Sequence, residues 1–159
     1  MSRKATKAAD NAFYLARMEA SSFNDNLNSR EGAAEITGID RTRLARIELG
    51  SLVPYPEEVL LMSDVYNSPE LCNHFCSQEC ALGKHTIRQI EVADLDRLTL
   101  QIFSAFQRVN YIKDTLIDIA ADGVIDTDER PKLGQVIAAL DTISMNAQSL
   151  KLWAEKNLK

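Results

Sequence analysis

The sequence predicts an all-α protein, and three observations support this fold class. The 159 residues include only 6 glycines and 4 prolines, which favours long helices over the many turns of a β-rich chain. Apolar residues recur every three or four positions through most of the chain, and no segment reads as a strand of useful length. Hydrophobic residues make up 45% and charged residues 26% of the chain, a balance typical of a globular protein.

The first half of the chain predicts a series of short helices separated by clear stop signals. Ser29 and Asp40 are residue types that favour helix N-caps, and Gly38 and Gly50 favour helix ends, so they bound the second and third helices. Residues 21–26, rich in serine and asparagine, are predicted to connect the first two. The predicted helices span 8–20, 30–37, 41–49, 56–66 and 69–82.

Prolines position the fourth and fifth of these helices. Pro56 fits the first turn of the fourth helix, where its missing N–H needs no partner. Ser68, Pro69 and Glu70 combine a cap, a first-turn proline and a first-turn acid, and so predict the start of the fifth. Gly83 is the predicted stop of that helix.

Two long segments with helical periodicity follow and predict an αα-hairpin. The first runs over 92–121, with apolar residues three or four positions apart at Leu95, Leu98, Ile102, Phe106, Val109, Ile112, Leu116 and Ile119. Asp122 and Gly123 break it. The second segment has similar spacing at Leu133, Ile137, Leu140, Ile143, Ala147, Leu150 and Trp153.

The change in composition after Lys84 predicts two domains, 1–85 and 86–159. A helix of about 30 residues is about 45 Å long. Two such helices side by side cover only part of each other's apolar surface. We therefore expect two hairpins to pair into a four-helix bundle, which makes the protein a homodimer. The alternative is that the hairpin folds back on the N-terminal domain of its own chain.

Charge is unevenly distributed along the chain. Residues 1–50 hold 8 Lys/Arg and 7 Asp/Glu, a net charge of +1, whereas residues 51–159 hold 10 and 16, a net charge of −6, which together give the −5 of the whole chain. This distribution fits a local DNA-contacting face on an otherwise repelling body. It does not fit a protein that coats nucleic acid non-specifically.

Nothing in the sequence predicts a membrane or secretory role. No stretch approaches the roughly 20 apolar residues that span a bilayer. The basic residues at the start are not followed by an apolar core, so no signal peptide is predicted. We therefore expect a cytoplasmic protein whose three cysteines are reduced.

The segment from Ser29 to Gly50 predicts two short helices that cross closely. Ala34 keeps the first helix thin at the crossing, Gly38 permits a sharp turn and Ile39 fills the joint. On the second helix two apolar residues, Leu44 and Ile47, point to the core. The side chains left facing outward are Arg41, Thr42, Arg43 and Arg46.

This segment resembles the Cro/lambda-repressor (XRE) helix-turn-helix family. The resemblance lies in Ala34, Gly38, Ile39, Leu44 and the run Ile47-Glu48-x-Gly50, and it extends over residues 8–66. It implies an N-terminal lambda-repressor-like DNA-binding domain of five helices, complete at about residue 82, with the long hairpin after it. It also implies a transcriptional regulator that binds double-stranded DNA without a cofactor.

In this family the second helix of the motif lies in the major groove. By position, the resemblance implies that Arg41, Thr42 and Arg46 contact base edges. Arg30 stands where the family has a residue near the backbone phosphates. Arg43 and Ser29 are weaker candidates for phosphate contacts.

Three residues depart from the family pattern. Gly32 and Thr37 occupy positions where the family prefers a helix former and a larger apolar residue, and the glycine alone weakens a helix by about 1 kcal/mol. Asp40 stands near the DNA face, where it would oppose a phosphate. The alternative is therefore a degenerate motif that serves packing or protein contacts.

The cysteines form a Cys-x3-Cys-x3-Cys run. On a continuous helix Cys72 and Cys80 would be about 12 Å apart along the axis, too far for both to bind one zinc ion. The favoured interpretation is that Cys72, Cys76 and Cys80 are small apolar side chains that pack against a neighbour. A metal site and a redox-sensitive thiol pair, which would make the protein a thiol- or metal-responsive regulator, are the alternatives, as is a break in the helix.

The acidic turn resembles an EF-hand loop at several positions of Asp118–Glu129, but Ala120 stands at a ligand position. The favoured interpretation is that Asp126 and Glu129 form a capping box for the last helix. With no Gly-rich phosphate loop and no nucleophile motif, we do not expect an enzyme. The two histidines, His74 and His85, are predicted to be ordinary surface residues.

Overall fold

The structure is a computed structural model that describes residues 8–121 and 123–158, and it confirms the all-α class for this part of the chain. The described residues form two compact units with the boundary between Gln89 and Ile90. None of the described helices combines the length and the apolar content needed to cross a membrane. The helices are α1 Ala12–Ala20, α2 Arg30–Thr37, α3 Arg41–Glu48, α4 Pro56–Val65, α5 Glu70–His74, α6 Gly83–Thr86, α7 Leu95–Phe106, α8 Val109–Ala120 and α9 Glu129–Asn157.

Some sequence predictions fall on residues outside the described part. The N-terminal residues 1–7, on which the absence of a signal peptide was predicted, are among them, and so is Asp122 of the predicted turn and of the EF-hand-like segment.

Side-chain caps set the limits of the first three helices. Helix α1 begins at Ala12, not at the predicted residue 8, because Asn11 Oδ1 accepts hydrogen bonds from the N–H groups of Phe13 and Tyr14, at 3.0 and 3.1 Å. Ser29 Oγ accepts from Gly32 N at 3.0 Å and Asp40 Oδ1 accepts from Arg43 N at 3.0 Å. These two bonds confirm the predicted caps of α2 and α3.

Gly38 ends α2 in the left-handed region, at φ +71°, where glycine carries no steric penalty. The N-terminal unit then closes over one apolar core. A 3₁₀ turn over Asp25–Asn28, in a segment predicted to be a plain connector, contributes the fully buried Leu27 to it. The other core residues are Phe13, Ala16, Ala20, Ala33, Ile39, Leu44, Ile47, Val59, Met62, Tyr66 and Leu71.

The predicted continuous helix over 69–82 is wrong. Helix α5 ends at His74, a π-helical turn over Phe75–Glu79 follows, and Cys80 is extended at φ −72° and ψ 124°. Gly83 does not stop this helix but begins α6. A Cβ at Gly83 would lie 1.9 Å from the backbone oxygen of Cys76, so only glycine permits this close approach.

In the C-terminal unit, α7 and α8 both pack along α9. The single helix predicted over 92–121 is interrupted, because the N–H of Arg108 donates to Ala105 O, a tighter three-residue step, at 3.1 Å. Phe106 and Val109, two apolar residues of the predicted periodic segment, lie on either side of the interruption and are 59% and 42% exposed.

The predicted capping box precedes α9 and is confirmed. Asp126 Oδ1 accepts from Glu129 N at 2.9 Å, and Glu129 Oε2 accepts from Asp126 N at 3.2 Å. The helix that follows has 29 residues.

Candidate nucleic-acid interface

Helix α3 has one buried face and one solvent face. Leu44, Ile47 and Glu48 are buried, at 0 to 1% exposure, and anchor the helix in the core of the N-terminal unit. The three predicted base-contacting residues, Arg41, Thr42 and Arg46, are all exposed. Thr42 and Arg46, four positions apart, share one side of the helix, and Arg41 lies about 100° around the helix from Thr42. They form the solvent face of α3, which is the candidate interface.

The arginines of this face, Arg41 and Arg46, have few interactions with the rest of the described protein. Arg41 Nε pairs with Glu31 Oε1 at the start of α2, but the two side chains are 62% and 59% exposed. Such an exposed pair contributes about 0–1 kcal/mol, so it can be exchanged for another anion at small cost. Within the described residues, the guanidinium of Arg46 has neither an ion pair nor a hydrogen bond.

The pKa of the Glu31 carboxyl is lowered, first by a hydrogen bond from its own backbone N–H and then by Arg41. A carboxylate in the first turn of a helix also interacts favourably with the helix dipole. Glu31 therefore stays charged beside the candidate interface and pairs with Arg41, and a more strongly binding anion can replace it.

A cluster of charged side chains holds α3 on its buried side. We call its three members, Arg17, Arg30 and Glu48, the Glu48 cluster. Arg17 of α1 binds Glu48 through two bonds, Nε to Oε1 at 2.6 Å and Nη2 to Oε2 at 3.1 Å. Arg17 also donates to the backbone oxygen of Leu27 at 2.7 Å. Arg30 of α2 donates to Glu48 Oε2 at 2.7 Å. One carboxylate thus joins α1, α2 and α3.

The cluster is deeply desolvated on one side. The side chains of Arg17 and Glu48 are 3% and 1% exposed, whereas that of Arg30 is 31% exposed. Burial lowers the pKa of Arg17, but the hydrogen bond and charge of Glu48 outweigh it, so the pKa is raised. Burial and then the charge of Glu48 raise the pKa of Tyr66, a core residue beside the cluster.

Arg30 and Arg43, the predicted phosphate contacts, are engaged inside the protein. Arg30 binds Glu48, as described. Arg43 binds Glu58 of α4 through Nε to Oε1 and through Nη2 to Oε2, the second bond being 2.8 Å long, and its guanidinium lies 4.2 Å above the ring of Tyr55. The hydrogen bond from Arg43 lowers the pKa of Glu58. Ser29 is exposed, but its Oγ caps α2.

The departures from the family pattern have local structural causes. Gly32 lies against the preceding turn, where a Cβ would be 2.1 Å from the backbone oxygen of Asn26. Thr37 is 4% exposed; its hydroxyl donates to Ala33 O at 2.7 Å and accepts from Ile39 N at 3.3 Å. Asp40 caps α3. Gly32 therefore lets α2 pack against the turn that precedes it, Thr37 stabilises the turn between α2 and α3, and Asp40 begins α3.

The three cysteines are free, half-buried thiols in or next to the π-helical turn. No group of three or more His, Cys, Asp or Glu side chains in the described part of the chain is arranged to hold a metal ion. The prediction that His74 is an ordinary surface residue is wrong, because it packs edge-on against Phe13 with ring centroids 5.7 Å apart. Burial lowers the pKa of His74. His85 is exposed.

Sequence reasoning missed the Glu48 cluster, although one signal of it was present. Arg17 occupies a position on the apolar face of α1, four residues after Phe13 and three before Ala20, where a charge must find a buried partner. The partner could not be read from the sequence, since 31 residues separate Arg17 from Glu48.

No protein-family model matches the sequence, and neither a curated protein nor a solved structure shows significant similarity to it.

Proposed function

We propose that this protein is a sequence-specific DNA-binding transcriptional regulator that acts in the cytoplasm as a homodimer. Helices α2 and α3 and the turn at Gly38 are its helix-turn-helix, and α3 is the helix that enters the major groove. One observation carries the proposal: the buried face of α3 is fixed by the Glu48 cluster, while Arg41, Thr42 and Arg46 stand on its solvent face with replaceable or no partners.

The chemistry of this face suits base recognition. Arginine binds guanine O6 and N7 through two parallel bonds, worth about 1–3 kcal/mol of discrimination. Arg46 can form such bonds without giving up an internal partner, and Arg41 gives up only an exposed pair with Glu31. Arg30, whose side chain is partly exposed, keeps N–H groups beyond the one bound to Glu48 for a nearby phosphate.

The test is selection from a randomised duplex pool, followed by binding measurements over a salt series. We expect the full chain to enrich a defined sequence, and we expect the double variant Arg41→Ala/Arg46→Ala to lose that enrichment. The salt series gives the slope of the logarithm of the binding constant against the logarithm of the salt concentration. Removing an arginine that contacts a phosphate reduces the size of this slope by about 1. Arg130→Ala, which removes an exposed arginine of α9, is the matched control.

The proposal fails if the full chain does not bind the pool at low salt. It also fails if the double variant enriches the same sequence as the parent. In either case α2 and α3 would serve the alternative function, a protein-interaction module. The observation in favour of that alternative is that Arg30 and Arg43 are already bound to carboxylates of this chain.

The homodimer is proposed from the C-terminal unit. Helix α7 carries Phe103 and Phe106 at 63% and 59% exposure, and α9 carries Ile137 at 53%. Exposed aromatic side chains of this size are typical of surfaces that a partner covers. A second copy covers them by forming a helical bundle, and it delivers a second α3 to a half-site about one helical turn away.

Sedimentation of the full chain tests this dimer. We expect Phe103→Ser/Phe106→Ser to shift the protein to the monomer and to weaken DNA binding. Leu82→Ser is the control, because Leu82 is 80% exposed but lies in the N-terminal unit. A parent protein that sediments as a monomer at every concentration, or a double variant that remains dimeric, would rule this interface out.

A further inference from the structure

A groove of about 440 Å³ lies between α7 and α9 of the C-terminal unit. This volume is within the range of about 300–1,000 Å³ that small-molecule sites occupy in proteins. No residue of α3 lines this groove, and the DNA-binding proposal does not use any of its residues. Neither does it include Phe103 or Phe106, the residues proposed for the dimer.

Two arginines, Arg97 and Arg108, line this groove. They are 11 residues apart: Arg97 lies in the first turn of α7 and Arg108 in the turn between α7 and α8, so the two residues stand near opposite ends of α7. Within the described residues neither guanidinium has a carboxylate partner. This is notable in a part of the chain that is acidic, since residues 90–159 hold 8 Lys/Arg and 11 Asp/Glu.

The floor between the two arginines is partly apolar. Leu100, which is 71% exposed, and Ala139 line it together with the polar side chains of Thr142 and Asn146. The amide of Asn146 donates to the backbone oxygen of Gln101 at 3.2 Å, and so ties α9 to α7 across the groove. The groove thus combines an unpaired cation near each end with an apolar segment between them.

We infer that this groove binds an elongated organic dianion, with one acid group at each arginine and an apolar chain lying along Leu100 and Ala139. Guanidinium groups match the geometry of carboxylate and phosphate oxygens and are weakly hydrated, which favours such contacts. A short apolar chain covers Leu100. A bound dianion also neutralises two cations that no side chain of the described protein neutralises.

The experiment is calorimetry on the full chain with three probes of equal length. Suberate carries a carboxylate at both ends, octanoate carries one, and 1,8-octanediol carries none. We expect suberate to bind up to about fivefold more tightly than octanoate, since an exposed arginine–carboxylate pair contributes up to about 1 kcal/mol. Octanediol should bind weakest.

Variants then assign the two carboxylates to the two arginines. In Arg97→Gln and in Arg108→Gln, suberate should bind no more tightly than octanoate binds to the parent. The control Arg130→Gln removes an exposed arginine of α9 outside the groove and should leave the affinity for suberate unchanged. Both arginines lie on the surface, so we expect each variant to fold. Circular dichroism checks that it does.

Three results would overturn the inference: no heat of binding with suberate, equal affinities for the three probes, or a loss in Arg130→Gln as large as in the groove variants. The inference would also be overturned if suberate does not bind and the two groove variants sediment differently from the parent. That result would indicate that the groove contacts another protein chain. None of these results bears on the DNA-binding test, which uses different residues.

Discussion

The two units of this protein bury their apolar side chains to very different degrees. Among the ten largest fully buried side chains of the described residues, two, Leu98 and Val136, belong to the C-terminal unit, and the other eight lie in residues 27–71. The N-terminal unit even encloses a charged cluster.

This difference fits the roles proposed above for the two units. A closed core with internal charges fixes the orientation of α3, as recognition of a rigid surface requires. Three helices with a narrow line of buried contacts leave surface for a second chain and a groove for a ligand. Three predictions test this comparison, taken from the largest expected effect to the smallest.

The largest effect is expected for Glu48→Gln. This change leaves the buried Arg17 without its counter-charge, and breaking a buried pair from one side costs about 3–5 kcal/mol. Urea unfolding followed by circular dichroism should show that loss. The control is Glu31→Gln, which removes an exposed ion pair and should cost no more than about 1 kcal/mol. Equal losses in the two variants would mean that the Glu48 cluster does not hold the N-terminal unit together.

A pair of glycine variants is expected to act in opposite directions in the two units. In Gly32→Ala the new Cβ meets the backbone of Asn26, and overpacking of this kind costs about 1–3 kcal/mol. In Gly134→Ala nothing lies within 4 Å of the new Cβ, so α9 should gain about 0.5–1 kcal/mol from the better helix former. Thermal unfolding measures both, and a stabilised Gly32→Ala would contradict the close packing described for α2.

The smallest effect is expected from pH. The pKa of His74 is lower in the folded protein than in the unfolded chain, where it is about 6.5, because burial disfavours the charged ring. Between these two pKa values the unfolded chain binds the additional proton. The stability that the neutral ring contributes is therefore complete above about pH 6.5 and is lost as the pH falls towards the folded value, by at most about 1.4 kcal/mol per pH unit.

Melting temperatures between pH 7.5 and 5 check this sign. His74→Gln should reduce the loss of stability over that interval, and His85→Gln, which changes an exposed residue, should not. A parent protein that becomes more stable on acidification, with His74→Gln behaving the same way, would show that His74 is not the group responsible.

Local signals allowed much of the fold to be predicted. The bounds of α2 follow from the cap at Ser29 and the left-handed glycine at residue 38, because both act within one turn of the helix. The capping box at Asp126 and Glu129 is equally local. The side of α3 that faces solvent could also be predicted, since Thr42 and Arg46 each stand two positions from Leu44, which is about 200° around the helix.

The features that could not be predicted depend on contacts between distant segments or on small changes of helical phase. The helical periodicity of the sequence continues through 107–108, yet the structure interrupts the helix there with one tighter turn at Arg108. The break at Cys80 depends on the approach of Gly83 to Cys76. The engagement of Arg30 by Glu48 depends on the fold itself, so a predicted phosphate contact became in part an internal one.

The separation of roles on α3 bears on how readily its specificity could change. Positions 41, 42 and 46 touch neither the core nor the Glu48 cluster, so exchanging them should alter stability by no more than about 0.5–1 kcal/mol. New combinations of side chains can therefore be tried there, by evolution or by library selection, without a compensating change elsewhere. The same freedom does not extend to residue 48, where any replacement must also find a new partner for Arg17.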